Sequence, residues 1–396
     1  MVTCAAAIRR QPRGGIRAAG ESRSLVGTGP CYGHPATADP PRSRPNAYTF
    51  AKRSLRSRRF CPASARVHAR PCCTPGVGWL RPTRTMTLPP TISPDAASTW
   101  HPGHPTDVAL TLAHLRRGRA DPTHQVAADG SLWRTTLTVD GPASLRFAQS
   151  DLHTITCQAW GAGARAAIDA APAMVGRDDD PAGFCPAHPV LDGAHRKHPG
   201  LRIPKTGRVM EALIPAILEQ RVIAVQATAS WRRLVHAYGT PAPGPTPGPM
   251  MVVPTVRAWQ LIPSWEWHKA GVDPQRSRTV MAVLAVARQL ERCVELSPEE
   301  AASRLRSVPG VGVWTAAEVA QRALGDADAL SVGDYHLAGF IGHALFGVEF
   351  DDRQLVAAME QWRPHRFRVV RLLENSGVAG KPRRGPRMPF VDHRAH

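Results

Sequence analysis

The stretch 297–342, SPEEAASRLRSVPGVGVWTAAEVAQRALGDADALSVGDYHLAGFIG, holds the residues whose types and spacing point to chemistry. Ser297 is suited to cap a helix, Pro298 to its first position, and Glu300 completes a capping box. That helix must stop before Pro309. Gly310-Val311-Gly312 then form a tight hairpin, and a second helix starts at Val313. Glycines there permit positive φ and carry no side chain, so backbone N–H groups can approach a phosphate closely. The second helix turns its positive dipole end toward the same anion. Such a hairpin contacts a DNA backbone without reading bases. Val308 and Val311 are placed to pack the two helices together.

The series Leu305-x-x-Val308-Pro309-Gly310-Val311-Gly312-x-x-Thr315-Ala316, followed by Val332-Gly333-Asp334, resembles the helix-hairpin-helix DNA glycosylase superfamily. The resemblance is closest to the 3-methyladenine DNA glycosylase II branch and extends over most of 105–376. The 24 residues from Gly310 to Asp334 make it specific. It implies an α+β chain, with a small N-terminal antiparallel β-domain followed by a mostly α-helical helix-hairpin-helix core. It also implies roles. Asp334 becomes the catalytic carboxylate at a helix N-terminus, stabilising positive charge on the deoxyribose and orienting the attacking water. Val308, Gly310, Val311, Gly312 and Thr315 become the hairpin that anchors the DNA backbone. Gln220, Arg221 and Val222 become the wedge that fills the gap left by a flipped base.

Departures from the superfamily pattern narrow the expectation. Bifunctional relatives carry a nucleophilic lysine four residues after the first hairpin glycine, where this chain has Trp314. Without that amine no Schiff base forms, and strand cleavage by β-elimination is not expected. Endonuclease III also ends in a four-cysteine iron–sulfur loop, whereas no cysteine follows Cys293. The expectation is a monofunctional hydrolase with no cofactor and no metal site. Trp314 reads either as a wall of the base pocket or as core packing beside the hairpin. As a wall, its indole face favours a cationic alkylated base by about 0.5–2 kcal/mol. Glu318 and Glu374 stand where the alkyladenine branch has aromatic residues. Glu318 reads either as a pocket residue bonding the extruded base or the water, or as a solvated carboxylate.

The elements that must position these residues follow from periodicity. Between 107 and 160 the period is near two, predicting strands in DVALTLAHL, SLWRTTLTV, ASLRFAQ and HTITCQAWG. Turns fall at Asp129-Gly130 and Asp140-Gly141-Pro142. Helical spacing then takes over. GARAAIDAAPAMVG is one helix, ended by Gly176 and an Asp178-Asp179-Asp180-Pro181 turn. Residues 206–238 hold two helices, and 239–249 form a stiff linker or long loop. Further helices are expected at 275–293, 298–307, 313–324, 334–346, 352–360 and 364–375. IPSWEWHKAGVD (262–273) reads as helix-junction packing. RPHRFRVVR (363–371) reads as a basic helix start that holds phosphates or faces solvent. The domain boundaries expected are 105–200 for the α+β part and 201–376 for the helical part.

Charge and composition bound the rest. The chain has 396 residues and a formal net charge of +19. Residues 1–85 carry sixteen basic residues against two acidic ones, leaving 34 basic and 29 acidic in the remainder. The main body is therefore only mildly basic. Residues 1–85 show no sustained period and are expected to be a disordered basic extension, read as a transit-like leader, a basic arm for nucleic acid or, preferentially, sequence upstream of a natural start at Met86. Residues 377–396 are expected to be a loose basic tail. No run of eighteen apolar residues exists, which excludes a membrane-spanning helix. Five of the eight cysteines precede residue 86 and no C-x-x-C occurs, so neither a zinc site nor a disulfide framework is supported. A reducing cytoplasm is the default location.

The resemblance implies a monomeric glycosylase acting on alkylated bases, 3-methyladenine above all, in double-stranded DNA containing damaged bases. Alternatives are a glycosylase for an oxidised purine, uracil or hypoxanthine, and a non-catalytic helix-hairpin-helix DNA-binding protein. A pure binder would have no use for Asp334.

Overall fold

The computed structural model describes residues 92–378. The expectations for 1–85 and for the tail beyond 378 lie outside the described residues.

An antiparallel sheet opens the described part. Strands β1 (Ala96–Trp100), β2 (His124–Val126), β3 (Leu132–Thr138), β4 (Gly141–Asp151) and β5 (Thr154–Trp160) pair in the order β1-β5-β4-β3-β2. The β3–β4 turn uses Gly141 at φ +128, as Asp140-Gly141 predicts. The sheet begins before residue 105, because β1 pairs with β5 from Ala96↔Ala159 to Trp100↔Ile155. Its short sequence, AASTW, carries too little alternation to be seen alone.

Residues 107–115 are not a strand. Between β1 and β2 lies α1 (Val108–Ala113), whose N-terminus is capped by Asp107 Oδ1 accepting the Leu110 N–H at 2.8 Å. Val108, Thr111, Leu112 and Leu115 are buried, a helical i, i+3, i+4, i+7 set. The apolar residues at 108, 110 and 112 fit either period, and the aspartate cap decides for the helix. Val108 and Leu112 meet α2 (Ala164–Met174) and the sheet residues Leu145, Phe147 and Ile155 in one core. Gly176 at φ +95 follows α2, where a helix stop is expected.

Next come α3 (Pro189–Lys197), α4 (Val209–Leu218) and α5 (Ala224–Tyr238). Every residue of α4 except Glu211 is buried, so this helix runs through the middle of the helical part. Glu211 joins it to the sheet, accepting from Thr136 Oγ1 at 2.7 Å and the Leu137 N–H at 2.8 Å and pairing with Arg134. Short strands β6 (Thr240–Pro241) and β7 (Met251–Val252) pair across the Pro-rich loop, which packs against Trp160 at Gly244.

The remaining helices are α6 (Val256–Gln260), α7 (Ser264–Lys269), α8 (Pro274–Ala285), α9 (Ala287–Glu291), α10 (Pro298–Arg306), α11 (Val313–Val319), α12 (Leu337–Ile341), α13 (Asp352–Met359) and α14 (Arg366–Ser376). Wider π turns extend α11 over Ala320–Leu324 and α12 over Gly342–Phe346. One core surrounds α4 and includes residues of α8, α10 and α11, and a second joins α3 to α12, α13 and α14. In IPSWEWHKAGVD, Trp267 is buried and stacks on Trp259 at 5.7 Å, as junction packing requires, while Trp265 is exposed.

The basic run at α14 is neither a solvated face nor an open phosphate grip. Arg368 is buried and pairs with Asp179 at 2.6 and 2.9 Å, Arg366 with Asp328 at 2.6 Å, and Arg371 with Glu374 at 2.5 Å. The acidic turn at 178–180 is likewise more than a turn, since Asp179 supplies the buried partner. Among the described residues, no helix is long and apolar enough to cross a membrane.

Candidate active site around the glycine hairpin

The hairpin is built as its residues dictate. Ser297 Oγ accepts the Glu300 N–H at 3.3 Å and Glu300 Oε2 accepts the Ser297 N–H at 3.0 Å, starting α10 with both halves of a capping box. The Val311 N–H donates to the Val308 carbonyl at 3.0 Å and closes the turn, with both valines buried between the helices. Gly310 takes φ +89, and a Cβ there would lie 2.3 Å from Thr279 Oγ1 on α8. Both backbone conformation and space therefore require glycine. Gly312 does not use the positive φ that glycine permits. It is extended, at φ −94, and its Cβ position meets open space, so its contribution is a bare, exposed surface.

The candidate wedge touches this hairpin directly. Gln220, in the turn after α4, donates from Nε2 to the Gly310 carbonyl and to Thr315 Oγ1, each at 2.9 Å. Arg221 follows, exposed and at φ +56, and Val222 is half-buried. Thr315 is buried, so it supports the hairpin from within and is not an outward contact for a DNA backbone.

Asp334 ends the loop between α11 and α12. Its Oδ1 accepts the N–H groups of His336 at 2.8 Å and Leu337 at 2.9 Å, which fixes the carboxylate at the start of α12. Its Oδ2 accepts the Trp314 Nε1–H at 3.3 Å. Gly333 at φ +90 gives the chain the turn that presents Asp334. Trp314 is half-buried with its polar edge on this carboxylate, and is not enclosed in the core. Tyr335 and His336 beside it are exposed, their rings 4.8 Å apart. Hairpin, wedge turn and carboxylate are thus linked through α11, which carries Trp314 and Thr315 as consecutive residues.

Glu318 is not a solvated carboxylate. It is 9% exposed, its Oε2 accepts from Arg322 Nη1 at 2.7 Å and its Oε1 from Ser331 Oγ at 2.7 Å. Gln321 Nε2 donates to Ser331 Oγ at 2.8 Å and to the Ala329 carbonyl at 2.9 Å. The i, i+4 spacing of Glu318 and Arg322 is a signal for their pairing, but the sequence offers none for Gln321 or Ser331, because polar residues on a helix and in a loop are ordinarily solvated. His114 is half-buried nearby, and desolvation, reinforced by Arg322, Arg371 and Arg117, holds its imidazole well below the usual histidine range. Glu374 is occupied by Arg371. Among the described residues, no group of three His, Cys, Asp or Glu side chains could hold a metal ion.

No family model matches this chain. It is 32% identical over 182 residues to a "Probable bifunctional transcriptional activator/DNA repair enzyme AlkA" of Mycobacterium tuberculosis, a match covering 46% of this chain. The match spans only 36% of that relative's length. Among solved structures, the chain is similar to the 3-methyladenine DNA-glycosylase of Archaeoglobus fulgidus, with a TM-score of 0.59 and 17% identity over 70% of this chain and 98% of the other. It is also similar to the Clostridium acetobutylicum 8-oxoguanine glycosylase/lyase, with a TM-score of 0.56 and 10% identity over 72% and 99%. The chain therefore shares the α+β fold of these two solved glycosylases. The resemblance carried by the hairpin and its distant aspartate extends to the architecture.

Proposed function

We propose that this chain is a monofunctional DNA glycosylase that hydrolyses the N-glycosidic bond of alkylated bases, 3-methyladenine-type, in duplex DNA. One observation carries this: Asp334 is fixed at the start of α12 and bonded to Trp314, on the helix that begins at the glycine hairpin. The hairpin would hold a phosphate while Gln220-Arg221-Val222 occupies the space of an everted nucleotide. The C1′–N bond of a cationic alkylated base is already weak. As it breaks, its electron pair neutralises the base, the sugar takes positive charge, and Asp334 stabilises that charge. Water then bonds to C1′, and its proton passes to Asp334 or solvent. Little acid assistance to the leaving base is needed.

The relative of Mycobacterium tuberculosis, named both a transcriptional activator and a DNA repair enzyme, supports a role in DNA repair, and the fixed carboxylate of Asp334 favours an enzyme over a pure binder. We place the enzyme as a monomer in the cytoplasm, consistent with the free thiols of Cys157, Cys185 and Cys293. The test is a panel of duplexes, each with one damaged base, scored for abasic sites with and without alkali. Base release from 3-methyladenine duplexes, with strand breaks only after alkali, is the expected result. Release from an oxidised purine, uracil or hypoxanthine alone would move the substrate. A borohydride-trapped protein–DNA adduct would overturn the monofunctional mechanism.

A further inference from the structure

The carboxylate proposed for catalysis lies at the end of a loop with little regular structure, so something must hold that loop against α11. Trp314 does so at Asp334 itself. One helical turn further along the same face stands Glu318, and its Oε1 accepts the hydroxyl of Ser331, three residues before Asp334, at 2.7 Å. Ser331 Oγ in turn accepts from Gln321 Nε2 at 2.8 Å, and the Asp334 N–H donates to the Ser331 carbonyl at 3.2 Å. Arg322 closes the arrangement, donating from Nη1 to Glu318 Oε2 at 2.7 Å and to the Glu318 carbonyl at 3.0 Å. Glu318, Gln321, Arg322 and Ser331 are all buried. A buried carboxylate that loses a partner is costly, so the arrangement is held as a unit.

Resting on the glycosylase reading, we infer that Glu318 and Ser331 are positioning residues, a clamp that sets Asp334 against Trp314 without touching the base or the water. Glu318 is thereby assigned neither to the base nor to bulk solvent. Its spacing from Trp314 lets the helix hold the loop at Ser331 as well as at Asp334, with Gln321 adding a bond to the Ala329 carbonyl at 2.9 Å, so the segment leading into Asp334 is supported along its length.

Ser331→Ala removes one hydroxyl and leaves the ion pair intact, which makes it the variant of choice. Single-turnover base release is expected to fall about tenfold, while affinity for a duplex carrying a non-hydrolysable abasic analogue stays within about twofold. Ser331→Thr, which restores the hydroxyl, is expected to recover most of the rate. Hydrogen exchange of the His336 and Leu337 amides, which Asp334 caps, is expected to quicken about tenfold in Ser331→Ala, with the amides of α10 unchanged. A release rate within about twofold of the parent, or unchanged exchange at 336–337, overturns the inference. If the parent releases no base from any lesion, the glycosylase reading fails, and the exchange measurement still decides whether the clamp exists.

Discussion

Trp314 and Asp334, twenty residues apart in sequence, meet through one hydrogen bond of 3.3 Å from the indole N–H to Oδ2. That contact joins the helix that leaves the hairpin to the loop that enters α12. It also restricts the direction in which the carboxylate can point, since Oδ1 is already engaged by two backbone N–H groups. Trp314→Phe keeps the ring and removes the donor. Base release is expected to drop about tenfold, the value of one hydrogen bond to a charged acceptor, with thermal stability little changed.

Asp334→Asn should separate binding from chemistry. The amide keeps one oxygen for the N–H groups of α12 but loses the negative charge. Release of base is expected to fall by about a hundredfold or more, while affinity for undamaged duplex is retained. Equal release by variant and parent in single-turnover assays would remove Asp334 from the mechanism.

Gly310→Ala tests the hairpin. The new methyl group would meet Thr279 and the backbone would stay at positive φ, so a cost of about 1–3 kcal/mol is expected from urea denaturation. Duplex affinity should weaken as well, and its salt dependence should become shallower if a phosphate contact is lost.

Asp179→Asn leaves Arg368 buried without its counter-charge. Breaking such a pair is expected to destabilise the fold by about 3–5 kcal/mol, read as a fall in the midpoint of thermal unfolding.

Stability should also decline in mild acid. Burial, helped by Arg134 and Arg116, pushes His124 down from 6.5 to about 3. The unfolded chain therefore takes up this proton first. The contribution is complete above the unfolded value and is lost as pH falls toward the folded one, at about 1.4 kcal/mol per pH unit. His114 acts in the same sense. Urea midpoints at pH 7 and pH 5 should differ more for the parent than for His124→Gln.

Sequence made some of this arrangement legible and hid the rest for physical reasons. Hairpin and capping box are local, because Ser297, Glu300, Pro309 and Gly310 determine their own neighbourhood. The helix Val108–Ala113 reads as a strand because three alternating apolar residues satisfy both periods, and only the Asp107 cap separates them. Strand β1 depends on a partner sixty residues away and has no local signature. The carboxylates that pair with Arg366 and Arg368 lie far off in sequence and are hidden for the same reason: a charge run reveals its composition but not what will cover it. Glu318 shows the limit at the site: its partner Arg322 is a neighbour on the same helix, but Ser331 comes from the loop beyond it.

The turn after α4 bears on how a ligand would be met. Gln220 is fastened to the hairpin and Arg221 is held in a left-handed backbone conformation that a non-glycine residue adopts reluctantly. The conformational freedom of this tip has been surrendered during folding, not at encounter. Duplex DNA would then meet a stiff protrusion and do most of the bending itself, so variation in affinity among duplexes should follow how easily each one deforms.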